Sequence, residues 1–428
     1  MIKSITGTKD ILPAEIPYWQ RLESIVEKIF SSFNYKEIRT PVFEETNLFV
    51  RSIGEETDIV GKEMYTFNDK SNASITLKPE MTASVARAFI EHSFGKLQPL
   101  NKFYYISPMF RQERPQAGRQ RQFHQFGGEA LGSPSPLLDA EIIIIAFRIL
   151  SSLNLKDLTV KINSLGIPSS RENYKNILRK HLDDKKNQLS EDSRKRFDKN
   201  ILRIFDSKVE LDQEIIKNAP VLIDFIDEES KNDFELVKAL LKQSKVPFEV
   251  DTKLVRGLDY YTKTTFEIVS GKVGSQNALC GGGRYDLLIE QLGGAPTPGV
   301  GFAAGMERIL LACQNEKSLN LPGEKIDLYI TRVDEDLTQK VFELAVYFRQ
   351  ESLIVELDYL GRSVKAQMRE ANKLNARFVL FVGGEEFKSK KLILKIMSTG
   401  EQKEYPLEEL NEIKSFIYGE VYKSYPNY

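Results

Sequence analysis

Residues 110–129, "FRQERPQAGRQRQFHQFGGE", combine a cluster of arginines with strand-like alternation. The first twelve of them include four arginines, no lysine and a single acidic residue. We expect two antiparallel strands, 110–113 and 121–129, joined by a loop at 114–120. Because side chains two residues apart lie on the same face of a strand, one surface would hold guanidinium groups, an aromatic ring, an amide and a carboxylate. This pattern predicts an antiparallel sheet whose charged face binds a ligand; a charged hairpin that faces water is the alternative.

The side chains on this surface suit phosphate and a nucleobase. Arginine is planar, stays charged and binds phosphate as a fork, which lysine does not imitate. Phe123 offers a ring on which a base could stack, a contact of roughly 1–3 kcal/mol in nucleic-acid systems. Glu113 can accept a hydrogen bond from an exocyclic amine, and Gln125 and Glu129 would meet a second ligand. The sequence contains no G-x-x-x-x-G-K-[ST], so a nucleoside triphosphate would bind without a P-loop.

The rest of the chain divides into regions of different pattern. Residues 1–166 mix an early helix at 16–33 with several strand-like runs. Residues 168–247 are rich in charge, poor in glycine and helical in period, which indicates a helical insertion. Strand-like sequence resumes at 250–270. A chain of 428 residues has room for two or three domains.

A regular alternation follows a linker at 314–325, which contains the helix-breaking pair Pro322-Gly323. The strand-like runs "IDLYI", "LIVELDYL" and "ARFVLFVGG" are separated by helical patterns at 336–349 and 363–374. Such a βαβαβ series predicts a largely parallel sheet with crossover helices. We therefore expect a separate α/β domain at 326–428.

Composition argues against several classes of protein. The formal net charge is −1, so a nucleic-acid partner would need local basic patches. No apolar run approaches the roughly 18 residues of a membrane span, and the first residues lack the apolar stretch of a secretory signal. Two cysteines and three histidines are too few for a disulfide framework or a zinc cluster. We expect a cytoplasmic protein with no structural zinc, no protein-held metal site and no membrane contact.

Several motifs together resemble the class II aminoacyl-tRNA synthetases, and within that class the histidyl enzymes. The segment 110–129 resembles the second motif of the class in its histidyl form, "GVGFAAGMER" the third, and "YKEIRTPVFE" the first, which lies at the dimer interface. "LVRGLDYYTKTTFE" and "GGGRYD" resemble signatures of the histidyl enzymes. "GTKDILP" and the βαβαβ tail resemble the family's entry segment and anticodon-binding domain. The resemblance covers essentially the whole chain.

The resemblance implies both a fold and an activity. The fold is an α+β catalytic domain on an antiparallel sheet at 1–322, with the helical insertion at about 168–247, and an α/β anticodon-binding domain at 326–428. The activity is the ATP-dependent attachment of L-histidine to tRNA(His) through histidyl-adenylate. ATP is a substrate, Mg²⁺ would bind through its phosphates, and the enzyme would be a homodimer.

The same resemblance assigns roles to individual residues. Arg111 and Arg256 are the expected catalytic residues. The residues expected to bind ATP are Arg111, Glu113, Arg119, Arg121, Phe123 and Arg308. Those expected to bind histidine are Glu80, Met81, Thr82, Arg111, Gln125, Glu129, Arg256, Tyr260 and Tyr261. Those expected to contact tRNA are Arg114 and Arg119. The chain departs from the family at Lys78, Met81 and Leu287, where the family usually has arginine, glycine and glycine.

Three other functions remain open on the sequence. Regulatory paralogues that partner an ATP phosphoribosyltransferase resemble the catalytic domain, but they typically lack the tail and the arginines. A plain nucleic-acid-binding module would leave Glu80, Gln125 and Glu129 without a task. A synthetase for glycine, threonine or proline would share this type of tail, but the peptide around Arg256 argues against it.

Overall fold

The computed structural model describes residues 2–423 apart from 55, 56, 58, 117, 255–259, 272–277, 322 and 324. The chain forms two compact units, Met1–Asn320 and Leu321–Tyr428. No helix within these described stretches combines the length and the apolar character that crossing a membrane requires.

The first unit contains eleven strands and eleven α-helices among its described residues. The strands are β1 (Lys36–Glu37), β2 (Phe43–Glu45), β3 (Tyr65–Asn68), β4 (Ser74–Leu77), β5 (Asn101–Phe110), β6 (Gln122–Leu131), β7 (Leu158–Ser164), β8 (Phe248–Val250), β9 (Thr262–Ser270), β10 (Ala278–Arg284) and β11 (Gly299–Gly305). The helices are α1 (Ile16–Ser32), α2 (Thr46–Ile53), α3 (Thr82–Glu91), α4 (Phe94–Leu97), α5 (Pro136–Ser152), α6 (Pro168–Leu182), α7 (Glu191–Lys199), α8 (Glu210–Ile216), α9 (Glu228–Gln243), α10 (Leu288–Gln291) and α11 (Met306–Glu316).

The large sheet has the order β1-β5-β6-β11-β10-β9-β7-β8. The six strands from β5 to β7 pair antiparallel, and only the edge strands β1 and β8 pair parallel to their neighbours. A smaller sheet, β2-β4-β3, lies in the same unit. The predicted antiparallel architecture is therefore confirmed.

Strand alternation divides the side chains of the large sheet between two cores. On β6, β9 and β11 the residues Phe126, Phe266 and Phe302 pack with α1, α5, α9 and α11, and we call this side of the sheet the back face. The residues between them, such as Gln125, belong to the opposite side, the front face. On the front face Tyr105 of β5 packs with α3 and α10 in a second core. Each of the two cores therefore covers one face of the large sheet.

The hairpin of β5 and β6 differs in position from the prediction. We expected the first strand at 110–113, but β5 ends at Phe110 and pairs with β6 through ten consecutive residues. The backbone of Arg111 still bonds to Arg121, whereas Gln112 N donates to Glu63 O at 2.7 Å. The chain thus leaves the sheet at residue 112 because a distant segment provides the next hydrogen-bond partner.

Residues 168–243 form four α-helices, α6 to α9, with short 3₁₀ turns between them. Tyr174, Leu178 and Leu182 of α6 are buried in the front core, whereas the apolar residues of α9 belong to the back core. Asp212 is fully buried, and its carboxylate accepts hydrogen bonds from three serine hydroxyls, those of Ser190, Ser193 and Ser207, each at 2.6 Å. A polar cluster as well as apolar packing therefore holds these helices together.

In the described part of the second unit there are five strands, with the order β13-β12-β14-β15-β16. Its elements are β12 (Leu328–Arg332), α12 (Thr338–Gln350), β13 (Val355–Leu357), α13 (Val364–Lys373), β14 (Phe378–Val382), α14 (Gly384–Lys388), β15 (Lys391–Ile396), β16 (Gln402–Pro406) and α15 (Leu410–Lys423). The strands β13, β12 and β14 are parallel, as the βαβαβ pattern predicts. The antiparallel strands β15 and β16 were not predicted.

Candidate active site

A cavity of about 270 Å³ lies on the front face of the sheet, over β6, β9, β10 and β11. It brings together residues that are far apart in sequence. Of the residues expected to bind substrates, its lining contains Glu80, Thr82, Arg111, Glu113, Arg119, Phe123, Gln125, Tyr260, Tyr261 and Arg308.

Four of the expected residues that the structure describes are not part of this lining. Met81 and Glu129 have no exposed surface at all. Arg121 is partly buried, and its Nε donates to the backbone oxygen of Glu113 at 3.4 Å. Arg114 is exposed in the loop after β5. Arg256 lies outside the described residues.

One end of the cavity is cationic. Glu113 accepts from Arg119, with 3.2 Å between Nη1 and Oε2, and its other oxygen is 3.7 Å from Nη1 of Arg111. The guanidinium of Arg111 lies over the ring of Phe123, 5.3 Å from its centre, and its Nε donates to Pro79 O at 2.9 Å. Arg111 thus lies close both to the carboxylate of Glu113 and to the ring of Phe123.

Arg308 adds a third guanidinium at this end. Arg308 lies in the first turn of α11, and its Nη1 donates to Ala278 O at 2.8 Å. Burial lowers the pKa of Arg308, and the neighbouring charge of Arg119 lowers it further, while Glu113 opposes the change. Like charges held this close are favourable for a polyanionic ligand, which would relieve their repulsion.

The other end of the cavity is formed by acceptors. The carboxylate of Glu80 caps α3, accepting from the backbone amides of Thr82 and Ala83 at 2.8 Å each. Burial raises the pKa of Glu80, and these two amides oppose the rise. Gln125 Oε1 is buried and has no hydrogen-bond partner among the described residues. An unpaired buried carbonyl costs free energy, so this atom marks the place where a ligand with a donor would be stabilised.

Behind these acceptors lies the carboxylate of Glu129. It accepts from the hydroxyl of Thr82 at 2.7 Å through Oε1, and from the hydroxyl of Tyr285 through Oε2. Burial raises the pKa of Glu129 to about 8, and the two hydroxyl donors oppose this rise. Tyr260 and Tyr261 pack against each other with ring centres 4.7 Å apart. An aromatic, hydrogen-bonding compartment therefore adjoins the acceptor end.

Sequence reasoning missed three residues that contribute to this arrangement. Tyr285 holds Glu129, Glu267 of β9 lines the cavity, and Glu307 of α11 lines it while accepting from the backbone and ring nitrogens of His124. "GGGRYD" marks the place of Tyr285, but its glycines indicate only a tight turn or close packing. Alternation along β9 would have placed Glu267 on the front face once Phe266 was assigned to the core.

Comparison with known proteins decides the family. A sequence profile described as "Histidyl-tRNA synthetase" matches residues 7–309, and one described as "Anticodon binding domain" matches residues 322–414. The chain belongs to the histidyl-tRNA synthetase family. Members of this family attach histidine to tRNA(His) with ATP, so the prediction of an ATP-dependent aminoacyl-tRNA synthetase is confirmed.

Individual relatives agree with the family assignment. A histidine–tRNA ligase of Caldanaerobacter subterraneus is 47% identical over 414 residues, which cover 96% of this chain and 99% of the relative. One from Halothermothrix orenii is 48% identical over 413 residues, covering 96% and 98%. The apo histidyl-tRNA synthetase of S. aureus matches with a TM-score of 0.82 and 39% identity over 96% of this chain and 99% of that one. Each of these relatives is named as the histidine enzyme, and each matches this chain over nearly its whole length.

Proposed function

We propose that the front-face cavity binds ATP and L-histidine side by side and joins them as histidyl-adenylate. The observation that carries this proposal is the polarity of the cavity. Three guanidinium groups gather around Glu113, and the lining also contains the unpaired Gln125 carbonyl and the Glu80 carboxylate. A triphosphate needs the first kind of group and an ammonium the second.

At the cationic end, Arg111 would contact the α-phosphate, with Arg119, Arg121 and Arg308 around the rest of the triphosphate. Phe123 would stack on adenine and Glu113 would accept from its amine. Since Glu113 pairs with Arg111 and Arg119 in the structure, phosphate oxygens would replace one carboxylate partner of these arginines on binding. Glu113 thereby holds the guanidinium groups near the position that the reacting phosphate will occupy, which lowers the entropic cost of ordering them when ATP binds.

Mg²⁺ is proposed to accompany ATP. This ion binds mainly through phosphate oxygens and waters, with one or two carboxylates. The carboxylates of Glu113 and Glu267 line the cavity, which fits this demand. The part of the chain that the structure describes holds no group of three or more potential metal ligands, so the ion would come with the nucleotide. When bound it would screen the phosphate charges.

At the acceptor end, Glu80, Thr82 and Gln125 would receive the ammonium of histidine. Met81 would shape this pocket from within the core. Glu129 and Tyr261 would recognise the imidazole, with Tyr260 beside them. A neutral imidazole has one donor and one acceptor, so a carboxylate and a hydroxyl form a matched pair of partners.

The overall acyl transfer then proceeds in two steps, a nucleotidyl transfer to the histidine carboxylate and an acyl transfer to tRNA. The histidine carboxylate attacks the α-phosphorus in line, a new P–O bond forms, and pyrophosphate leaves with the electrons of the broken P–O bond. A terminal ribose hydroxyl of tRNA next attacks the activated carbonyl, and AMP leaves. Arg111, together with Arg256, would stabilise the charge that builds on the α-phosphate. Most of the rate enhancement would come from positioning and electrostatic stabilisation.

The remaining assignments concern partners and place. Arg114 and Arg119 would contact the acceptor stem of tRNA, residues 1–322 would form the catalytic domain and 326–428 the anticodon-binding domain. A homodimer is supported by exposed apolar side chains in and beside the small sheet, those of Val42, Phe43 and Phe67. Because tRNA is charged for translation, a cytoplasmic location is part of the proposal.

Pyrophosphate exchange into ATP, measured with each amino acid in turn, tests the proposal. Histidine alone should support exchange. Gln125→Leu should raise KM for histidine about 10-fold or more, because a buried partner of the ammonium is lost. Gln243→Leu, at an exposed position, should change nothing. Exchange with several amino acids, or equal effects of the two variants, would contradict the assignment.

A further inference from the structure

The carboxylate of Glu129 is fixed from two sides. Its side chain has no exposed surface, and each carboxylate oxygen accepts a hydrogen bond from a hydroxyl group: Oε1 from Thr82 and Oε2 from Tyr285. A Cβ placed on Gly301 of the neighbouring strand would overlap Oε2, so only glycine leaves room for this orientation. The direction in which Glu129 presents its lone pairs is therefore set by its neighbours.

Tyr285 is itself held rigidly. It is 1% exposed, its ring packs edge-on against Tyr260 with centres 5.7 Å apart, and its backbone nitrogen donates to Gly299 O at 2.7 Å. The preceding residue, Arg284, is 1% exposed and donates to the carboxylate of Asp139 in α5. The hydroxyl of Tyr285 is thus fixed by contacts on both sides of the residue.

We propose that Tyr285 is a positioning residue for histidine recognition, whose hydroxyl keeps Glu129 oriented as the acceptor for the imidazole N–H. The proposal rests on the proposed contact between Glu129 and imidazole. Tyr285 acts through Glu129 and does not touch the substrate in this account. The Tyr285 hydroxyl uses its single proton in the hydrogen bond to Oε2. The remaining lone pairs of the Glu129 carboxylate can still accept a hydrogen bond from a further group.

The electrostatic surroundings make this donor necessary. Burial raises the pKa of Tyr285 well above its ordinary value, with Glu129 adding to the effect, so the hydroxyl keeps its proton at working pH. Glu129 faces Glu80 from just before α3, Tyr35 from just before β1, Tyr105 from β5 and Tyr260 from just before β9, none of which carries positive charge. Within the described part of the chain no ion pair involves Glu129. The hydroxyls of Tyr285 and Thr82 are the groups that favour its ionised form, and burial disfavours it.

The test compares Tyr285→Phe with the unchanged enzyme by pyrophosphate exchange across pH 6–9. KM for histidine should rise about 10- to 100-fold, the range expected when a hydrogen bond to a buried charge is lost, with KM for ATP unchanged. Since the Tyr285 donor lowers the pKa of Glu129, its removal raises that pKa, and the acidic limb of kcat/KM for histidine should move to higher pH. The titration of free histidine is common to both enzymes, so the difference between their limbs belongs to the protein.

Two further variants make the outcome unambiguous. Tyr174→Phe removes a buried hydroxyl that donates to Pro220 O at 2.7 Å among the helices α6 to α9, and it should alter neither KM nor the pH limb. Glu129→Gln should raise KM for histidine; if it does not, the proposed role of Glu129 fails. If Glu129→Gln raises KM while Tyr285→Phe does not, the positioning role is overturned. A general loss of activity in Tyr285→Phe, with a lower Tm and no movement of the limb, would also overturn it.

Discussion

The buried ion pair between Arg284 and Asp139 offers a quantitative test of how strand β10 is fixed to α5. Both side chains are 1% exposed. Arg284 Nε lies 3.1 and 3.0 Å from the two carboxylate oxygens, and Nη2 contacts the second oxygen as well. Burial raises the pKa of Asp139 while Arg284 opposes the rise, so the pair is a balance of desolvation and attraction. The substitution Asp139→Asn keeps the shape of the side chain and removes its charge.

The magnitude follows from what remains around Arg284. Breaking a buried pair by removing one charge costs about 3–5 kcal/mol, because the other charge stays buried. Three partners survive: the carbonyls of Ser133 and Ser135 at 3.2 and 3.0 Å, and Asp286 Oδ1 at 3.0 Å. Since Asp286 still supplies a negative charge, we expect the lower end, about 3 kcal/mol. At about 2 °C per kcal/mol for a unit of this size, Tm should fall by about 6 °C.

Differential scanning calorimetry of the full chain measures this change. Asp198→Asn is the matched control, since Asp198 pairs with Lys186 at 2.6 Å but is 64% exposed. Exposed pairs contribute about 0–1 kcal/mol, so its Tm should fall by no more than about 2 °C. Equal shifts for the two variants, or an unchanged Tm for Asp139→Asn, would refute the reasoning that burial makes the pair indispensable.

Three more predictions concern the site and the helices beside it. Gly301→Ala should weaken histidine binding at least 10-fold because the added Cβ overlaps the carboxylate of Glu129. Gly419→Ala, at an exposed position with no atom within 4 Å of the added Cβ, should not; equal KM values for histidine in pyrophosphate exchange would contradict the packing argument. Burial would raise the pKa of Asp212, but its serine partners lower it to about 2, below an unfolded value of about 3.9. The stability that the Asp212 carboxylate contributes is therefore present above pH 4 and lost as pH falls toward 2. Unfolding followed by circular dichroism should show a smaller loss of stability over this pH range in Asp212→Asn than in the unchanged chain. The same loss of stability in both proteins would disprove it. Arg256→Ala should slow single-turnover formation of the adenylate while leaving tRNA affinity in a filter-binding assay nearly intact, and similar losses in both would argue against its proposed role.

The sequence predicts which side chains of β6 share one face of the sheet, but it does not predict how deeply each of them is buried. Alternation requires Phe123, Gln125 and Glu129 to share one face, and the structure places all three on the front face of the sheet. Phe123 and Gln125 line the cavity, whereas Glu129 is buried behind it. The difference arises because Tyr285 and Thr82, from distant segments, cover Glu129, and periodicity along one strand contains no information about them.

The end of β5 shows the same limit for secondary structure. The residues after Phe110 have a strand-like pattern, and pairing with β6 continues as far as Arg111. The next backbone donor, on Gln112, bonds to Glu63 instead. A nonlocal partner decides where the strand stops, so local propensity placed it too late.

The unpaired carbonyl of Gln125 has a consequence for inhibitor chemistry. A compound that fills the acceptor end of the cavity with a methyl or a ring edge would seal this oxygen from solvent without giving it a hydrogen, and would lose affinity for that reason. Medicinal chemists would therefore retain a protonated amine at this position and vary the scaffold elsewhere. Removing the amine from a lead compound should cost more here than trimming an equal number of carbon atoms.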